Sequence, residues 1–532
     1  MTCRHQIGMS LTAVLMLATA GCSRGESAPG DFVPASFADP DRAVRLRAAL
    51  PAIDSLFRDF AERSRVPGIA WGVLIDGELV HAGSHGVREV AANAPVDRAT
   101  VFRIASMTKS FTALSILRLR EEGRLSLDDP AEYYVPELGG LAYPTTDAPR
   151  ITIRHLLSHA EGFPEDNPWG DRQLDATTAR MSEMMSSGIP FSNVPGVAYE
   201  YSNFGFAILG RIVENVTGMP YHEYVTASIL RPLGMSATTL DAAEVPGGHL
   251  AHGYRWEDGQ WKDEPPLPHG AFGAMGGMLT SIEDLGRYVG FLMSAWPPRS
   301  APEAGPVSRS SLREMQQIWR ARPSRVTRDS GGTVELSSGG YGFGLGITQT
   351  CEFGHVVAHS GGLPGYGSQM RWLPEYGVGI IAMGNLTYTS WGGTVTRAIE
   401  ALAATGALQA RQAQPSSALS AMRESVSRLV TSWDDSLADS IAAMNLYLDD
   451  PGDRRRERIT SLVAQLGACR NEGPFDVENA LRGRWMMRCD RGALEVAITL
   501  APTIPPRVQY LRVTQADSVV RFQPAPSCPS RE

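Results

Sequence analysis

The stretch "RIASMTKSFTA", residues 103–113, holds Lys109, one of only two lysines in a chain of 532 residues. The other is Lys262, and all other basic side chains among the 49 are arginines. Three residues before Lys109 stands Ser106, at the start of a pattern that predicts a helix over 106–122, stopped by Gly123. Residues three apart on a helix share a face. A serine at a helix start has free N–H groups and the positive end of the dipole beside it, which favour developing negative charge. To become a nucleophile it needs a nearby base. Lysine is such a base once burial and neighbours lower its pKa, whereas arginine, with a pKa above about 12, is not. Lysine at 109 therefore marks a place where the group must lose its proton.

Ser-x-x-Lys alone is a weak signal, as much a surface helix cation as a catalytic pair. Two further stretches change the weight. "YEYSNFGF" (199–206) sets Tyr201, Ser202 and Asn203 before a helical pattern closed by Gly218, and "HSGG" (359–362) sits on an expected strand. Taken singly, these are a core aromatic and a tight turn beside a partly buried histidine. Taken in order, Ser-x-x-Lys, Tyr-x-Asn and His-x-Gly resemble the penicillin-recognising serine hydrolases. That family includes class C β-lactamases, D-alanyl-D-alanine carboxypeptidases, D-amino-acid peptidases and esterases of the same fold. The likeness continues through "ATVFRIASMTKSFTALSILRLREEGRLSLDDP", "ITIRHLLSHAEGF", "YEYSNFGFAILGRIVENVTGMPYHEYVTASILRPLGM", "GGMLTSIEDLGRY" and "HSGGLPGYGSQMRWLPEYGVGIIAMGN". It covers residues 46–400.

The resemblance implies an α/β (α+β) fold, an antiparallel sheet flanked by helices with an inserted helical lobe. It also implies roles. Ser106 would form an acyl-enzyme, Lys109 would share its proton network, and Tyr201 would act as base and then acid, its ionised form favoured by Lys109. Asn203 would hold the substrate amide, Gly361 would let the substrate backbone approach, and the N–H groups of Ser106 and Gly362 would form an oxyanion hole. No cofactor is implied. His359 stands where β-lactamases carry a lysine that helps hold a substrate carboxylate. A histidine is neutral for much of the time at pH 7, which puts efficient β-lactam hydrolysis in doubt. His at this place is found in the carboxypeptidase, D-peptidase and esterase branches.

The rest of the chain fills in the organisation. A helical pattern near 43–64 precedes "GIAWGVLIDGELVHAGSHG", two apolar runs about Asp76-Gly77 that predict a hairpin. Helical segments follow between 150 and 235, and Ser281 with Asp284 forms a capping-box pattern ahead of a helix over 280–292. From 340 to 385, short runs between glycine-rich turns predict an antiparallel meander. Strands at both ends of a helical middle imply one discontinuous sheet. His155 and His159, four apart in "HLLSH", are a weak zinc spacing without a third ligand pattern. The Gly-rich "GGYGFGLG" (339–346) precedes a strand, not a helix, so it is no phosphate cradle.

Outside that domain, residues 1–21 read as a signal peptide and "LATAGC" as a lipobox ending at Cys22, followed by a linker over 22–45. These imply export to the periplasm or cell envelope, with membrane contact through lipid alone. Of the later cysteines, Cys351, Cys469, Cys489 and Cys528 permit three pairings. Cys469–Cys489 is favoured because both lie in one compact C-terminal segment. A linker over 401–420 leads to an accessory α+β domain at 421–532, in which "RRRER" (454–458) reads as a solvated helix start. The net charge of −8, spread along the chain, argues against a nucleic-acid partner. The expected function is an exported serine hydrolase on a D-amino-acid peptide, β-lactam or ester, foremost a D-peptidase or carboxypeptidase. A carboxylesterase, and a non-catalytic penicillin- or peptidoglycan-binding module, are the competing readings.

Overall fold

The computed structural model describes residues 32–328, 334–448 and 450–516. Residues 1–21, Cys22 and Cys528, on which the export signal, the lipid site and one possible disulfide partner fall, lie outside them. The described residues form two compact units, the first spanning Pro34–Gln414.

In the first unit the tight turn at Asp76-Gly77, both with positive φ (53° and 86°), folds Gly68–Ile75 back onto Glu78–Glu89. Gly68–Ile75 is buried along its whole length because its other edge pairs antiparallel with Val378–Gly384, three hundred residues on. From there the sheet continues antiparallel through Tyr366–Leu373, Gly354–Leu363, Gly346–Thr350 and Val334–Tyr341 to an outer edge strand, Arg320–Arg328. The chain thus starts the sheet, leaves it to build a helical lobe, and returns to complete it. This is the discontinuous antiparallel sheet with an inserted lobe that the sequence led us to expect.

Period-two alternation gives the sheet two apolar faces. Leu74, Ile381 and Met383 face the lobe and pack with Phe102, Phe111 and Leu285. Trp71, Val73 and Ile380 face the helices Leu50–Ser64 and Gly392–Ala404. On that second face Phe57 stacks on Trp71 with centroids 5.3 Å apart, and both rings are fully buried. Truncating either to alanine costs about 3–5 kcal/mol by the usual transfer-plus-cavity reckoning.

The second unit, Pro415–Glu472 and the described residues from Glu478 to 516, places the helices Ser417–Thr431, Asp435–Ile441 and Gly452–Leu466 before a four-stranded sheet. Its core is Trp485, Leu494, Val496 and Val508. Cys469, opening the first strand, is disulfide-bonded to Cys489, closing the second. Within "RRRER" the pattern is not uniformly solvated. Arg455 is 6% exposed and donates to the carbonyls of Leu511 (2.8 Å) and Leu446 (3.2 Å). Those carbonyls satisfy a cation that the charge run alone would place in water.

Candidate active site

Ser106 is presented by a strained elbow. The short strand Val101–Arg103 ends at Ile104, Ala105 takes φ 50°, and a single 3-10 turn, Ala105–Met107, leads into the helix Thr108–Glu121. A non-glycine residue in the left-handed region costs about 1–3 kcal/mol and persists only where its surroundings hold it. Here they do. Ile104 donates its N–H to the Met278 carbonyl at 2.9 Å, and its own carbonyl accepts from Ser368 Oγ at 2.8 Å.

Lys109, one helical turn on, is fully buried. Its Nζ lies 3.0 Å from Ser106 Oγ, 2.7 Å from Asn203 Oδ1 and 2.8 Å from the Met275 carbonyl. The last two oxygens only accept. The Asn203 amide is oriented by its Nδ2, which donates to Asn167 Oδ1 at 2.7 Å. In a neutral amine these acceptors engage both hydrogens and aim the lone pair at Ser106. Burial lowers the Lys109 pKa to about 7, against the opposing pull of Asp171 and Asp166. The other lysine, Lys262, is a surface cation paired with Asp258 at 2.5 Å and Glu257 at 3.0 Å.

Tyr201 stands beside this pair, with the Lys109 Nζ 4.9 Å from its ring centroid. Burial pushes its phenol well above the usual value, and a hydrogen bond with Ser106 only partly offsets this. The sequence reading expected Lys109 to favour tyrosinate. In the structure desolvation outweighs that effect, the phenol rests neutral, and Lys109 is the group that titrates near neutrality.

His359 is neutral as well, its pKa brought down to about 3 by burial and the nearby Lys109. Its Nδ1 lies 2.6 Å from the Ser360 carbonyl and must donate there, so Nε2 accepts from the Tyr341 hydroxyl at 2.7 Å.

Two expected substrate contacts have other work. Asn203, fully buried, fixes Lys109 from behind and does not line the cavity. Gly361 does not line it either. A Cβ there would meet the Ile104 carbonyl at 2.1 Å, so its bareness admits the Ser106 elbow. Its neighbours Ser360 and Gly362 do line the cavity, together with Ser106 and Tyr201. His155 and His159 are structural. His155 Nδ1 accepts from the Thr152 N–H in a helix cap, and His159, packed 4.3 Å from Tyr201, accepts from the Ser202 N–H.

Several site residues escaped sequence reading. Asp166 caps the helix Asn203–Thr217, accepting from the N–H groups of Asn203 (2.7 Å) and Phe204 (2.8 Å). Asp171 lines the cavity and accepts from the Tyr388 hydroxyl at 3.0 Å; burial raises its pKa, opposed by Lys109. Tyr341 and Arg322 come from the two outer strands. The polar run "PEDNPWGD" (164–171) was the available signal for the acids. The cavity, about 900 Å³, also admits Glu165, Glu200 and Gln369, so its wall is polar and apolar in about equal measure.

Residues 53–405 match the family model described as Beta-lactamase. Protein flp of Staphylococcus aureus (strain NCTC 8325 / PS 47) is 29% identical over 336 residues, 63% of this chain and 62% of that protein. Penicillin-binding protein 4* of Bacillus subtilis (strain 168) is 27% identical over 331 residues, 60% of this chain and 68% of that protein. The alignment with flp thus spans less than two thirds of that relative's length. Among solved structures, the octameric penicillin-binding protein homologue from Pyrococcus abyssi superposes with TM-score 0.57 at 23% identity, covering 85% of this chain and 96% of that one. A class C β-lactamase gives TM-score 0.53 at 18% identity, covering 69% and 98%. At these identities the structural likeness speaks to fold alone.

Proposed function

The chain belongs to the Beta-lactamase family, and from that premise we propose that it is an exported serine hydrolase of D-peptidase or carboxypeptidase type, cleaving an amide through a Ser106 acyl-enzyme. The observation that carries this is the Lys109 amine, with two hydrogens committed to Asn203 and Met275 and its third direction facing Ser106. Neutral Lys109 takes the Ser106 proton as Oγ attacks the substrate carbonyl. The neutral Tyr201 phenol gives its proton to the leaving nitrogen and is reprotonated from Lys109, so the C–N bond breaks without a net change in protons. Water then attacks the ester, and the same relay runs in reverse. Neutral His359, with both ring nitrogens engaged by Ser360 and Tyr341, lines the cavity without supplying a cation.

A peptide substrate is favoured over a simple ester by the cavity wall. A wholly apolar pocket suits a small ester, whereas this one adds Arg322, Asn167, Asp171 and Gln369 to its apolar half. Release of D-alanine from an N-acylated D-Ala-D-Ala peptide, compared with p-nitrophenyl butyrate hydrolysis and with Ser106→Ala as blank, tests the reading. Peptide turnover lost in the variant is expected. Ester turnover with an intact peptide would transfer the assignment to a carboxylesterase.

A further inference from the structure

Resting on the reading of Lys109 as the base, we infer that Asp166 is a positioning residue for the activation of Ser106, holding in place the Asn203 contact that aims the lysine. Every link between them is a hydrogen bond. Ser106 Oγ lies 3.0 Å from Lys109 Nζ, which donates to Asn203 Oδ1 at 2.7 Å. The backbone N–H of the same Asn203 donates to Asp166 Oδ1 at 2.7 Å. Asp166 Oδ2 accepts from the Phe204 N–H at 2.8 Å and from the Ser202 hydroxyl at 3.4 Å. The next residue, Asn167, holds the side chain. Its Oδ1 accepts from Asn203 Nδ2 at 2.7 Å, which leaves the amide oxygen to face the amine. Two consecutive loop residues thus grip Asn203 by its backbone and by its amide. The loop also closes tightly over it. Gly170 donates its N–H to the Asp166 carbonyl at 2.6 Å, and a Cβ on Gly170 would meet Asn203 Cβ at 2.7 Å.

Asp166 acts through Asn203, since it is not in the wall of the catalytic cavity. It lines a separate cavity of about 440 Å³ with Phe163, Trp169 and Phe204, where the one arginine, Arg180, is paired with Glu183 at 2.6 Å. Both Asp166 oxygens accept, as suits a carboxylate. Burial raises its pKa, opposed by the Asn203 and Phe204 N–H groups and by Lys109. Its charge also reaches the amine: burial favours neutral Lys109, opposed by Asp171 and then by Asp166. The other titratable groups around this pair stay neutral near pH 7. Burial raises the Tyr201 phenol and the Glu161 carboxyl, and lowers the His159 and His359 imidazoles. Asp171 remains when Asp166 is replaced, so a change at 166 reads that residue alone. A simple helix cap would alter stability and leave the titration of Lys109 untouched. A residue that grips Asn203 and faces the amine by charge alters both.

The test is the pH dependence of fluorophosphonate labelling of Ser106 in D166N, which keeps an oxygen for the Asn203 N–H and removes the charge. Without that charge, and with Asn203 less firmly held, the ammonium is less favoured, so both effects move its deprotonation to lower pH. From the wild-type midpoint at about 7, D166N should fall by about 0.5–1 pH unit. Its plateau rate should drop about tenfold, because the lysine is aimed less well. D166E, which restores the charge on a longer stem, should bring the midpoint back toward the wild-type value. D166S supplies a capping hydroxyl without charge and carries the same comparison should D166N not fold. A midpoint unmoved or raised, or a plateau rate equal to the wild type's, overturns the assignment and leaves the hydrolase reading standing. A wild type that does not label, or labels without a step near neutral pH, overturns both.

Discussion

Glu161 shows how much of this site is set by burial. It is fully buried, and desolvation pushes its pKa well above the usual carboxylate range, an effect that a hydrogen bond with its own backbone only partly offsets. It therefore stays protonated in the folded protein after it has ionised in the unfolded chain. Its contribution is complete below about pH 4.5 and is lost progressively as pH rises toward the folded value, by up to about 1.4 kcal/mol per pH unit. Glu161→Gln, neutral throughout, should match the wild type in acid and exceed it increasingly above that point in urea unfolding. Parallel stability profiles for the two proteins would refute this. At the same scale, Ser106 and Lys109 were legible because lysine is so rare in this chain. Asp166 and Tyr341 were not, since an acid in a polar loop and a tyrosine after glycines announce nothing until the fold brings them to Asn203 and His359.

The contact between the strand Gly354–Leu363 and the Ser106 elbow depends on having no side chain at 361. A Cβ there would meet the Ile104 carbonyl at 2.1 Å and Ser368 Oγ at 2.3 Å, groups that are hydrogen-bonded to each other at 2.8 Å. Gly361→Ala should cost about 1–3 kcal/mol from overpacking. It should slow acylation by tenfold or more, since misplacement of about 1 Å near a reacting atom is worth up to about 100-fold. Unchanged labelling of Ser106 in this variant would show that the elbow does not lean on the strand. The hairpin, the meander and the helix after Ser281 were readable from apolar spacing and turn residues. The two outer strands Arg320–Arg328 and Val334–Tyr341 were not. Their sequences, "RARPSRVTR" and "VELSSGGY", carry arginine, serine, glycine and a proline in place of an apolar run; pairing of Val334–Tyr341 with Gly346–Thr350, and of Arg320–Arg328 with Val334–Tyr341, makes them strands. Arg322, which lines the cavity, was hidden with them.

Across the whole molecule, a sheet opened by Gly68–Ile75 and completed three hundred residues later by Val378–Gly384 lets one chain hold a helical lobe against a rigid strand layer. Ser106 stands where the lobe meets that layer. The alternation of strand, helix and strand patterns made this legible. The second unit's helices-then-strands order was legible as well, but nothing in its residues speaks of a role. At this scale we also propose lipid attachment at Cys22. Protein extracted from membranes should begin at a diacylated Cys22 by intact mass, and a mature chain starting elsewhere without lipid would refute it.

The central claim is that Ser106 is activated by a lysine that is neutral near physiological pH. The direct measurement is the pH dependence of fluorophosphonate labelling, followed by intact mass and peptide mapping. The account predicts a single adduct on Ser106 whose rate rises as pH passes through about 7, where Lys109 loses its proton, and then levels off. It predicts that Lys109→Arg, which keeps the cation but cannot release a proton, labels about 100-fold or more slowly and without that step. A rate flat across neutral pH, wild-type labelling in Lys109→Arg, or an adduct on another residue would contradict it.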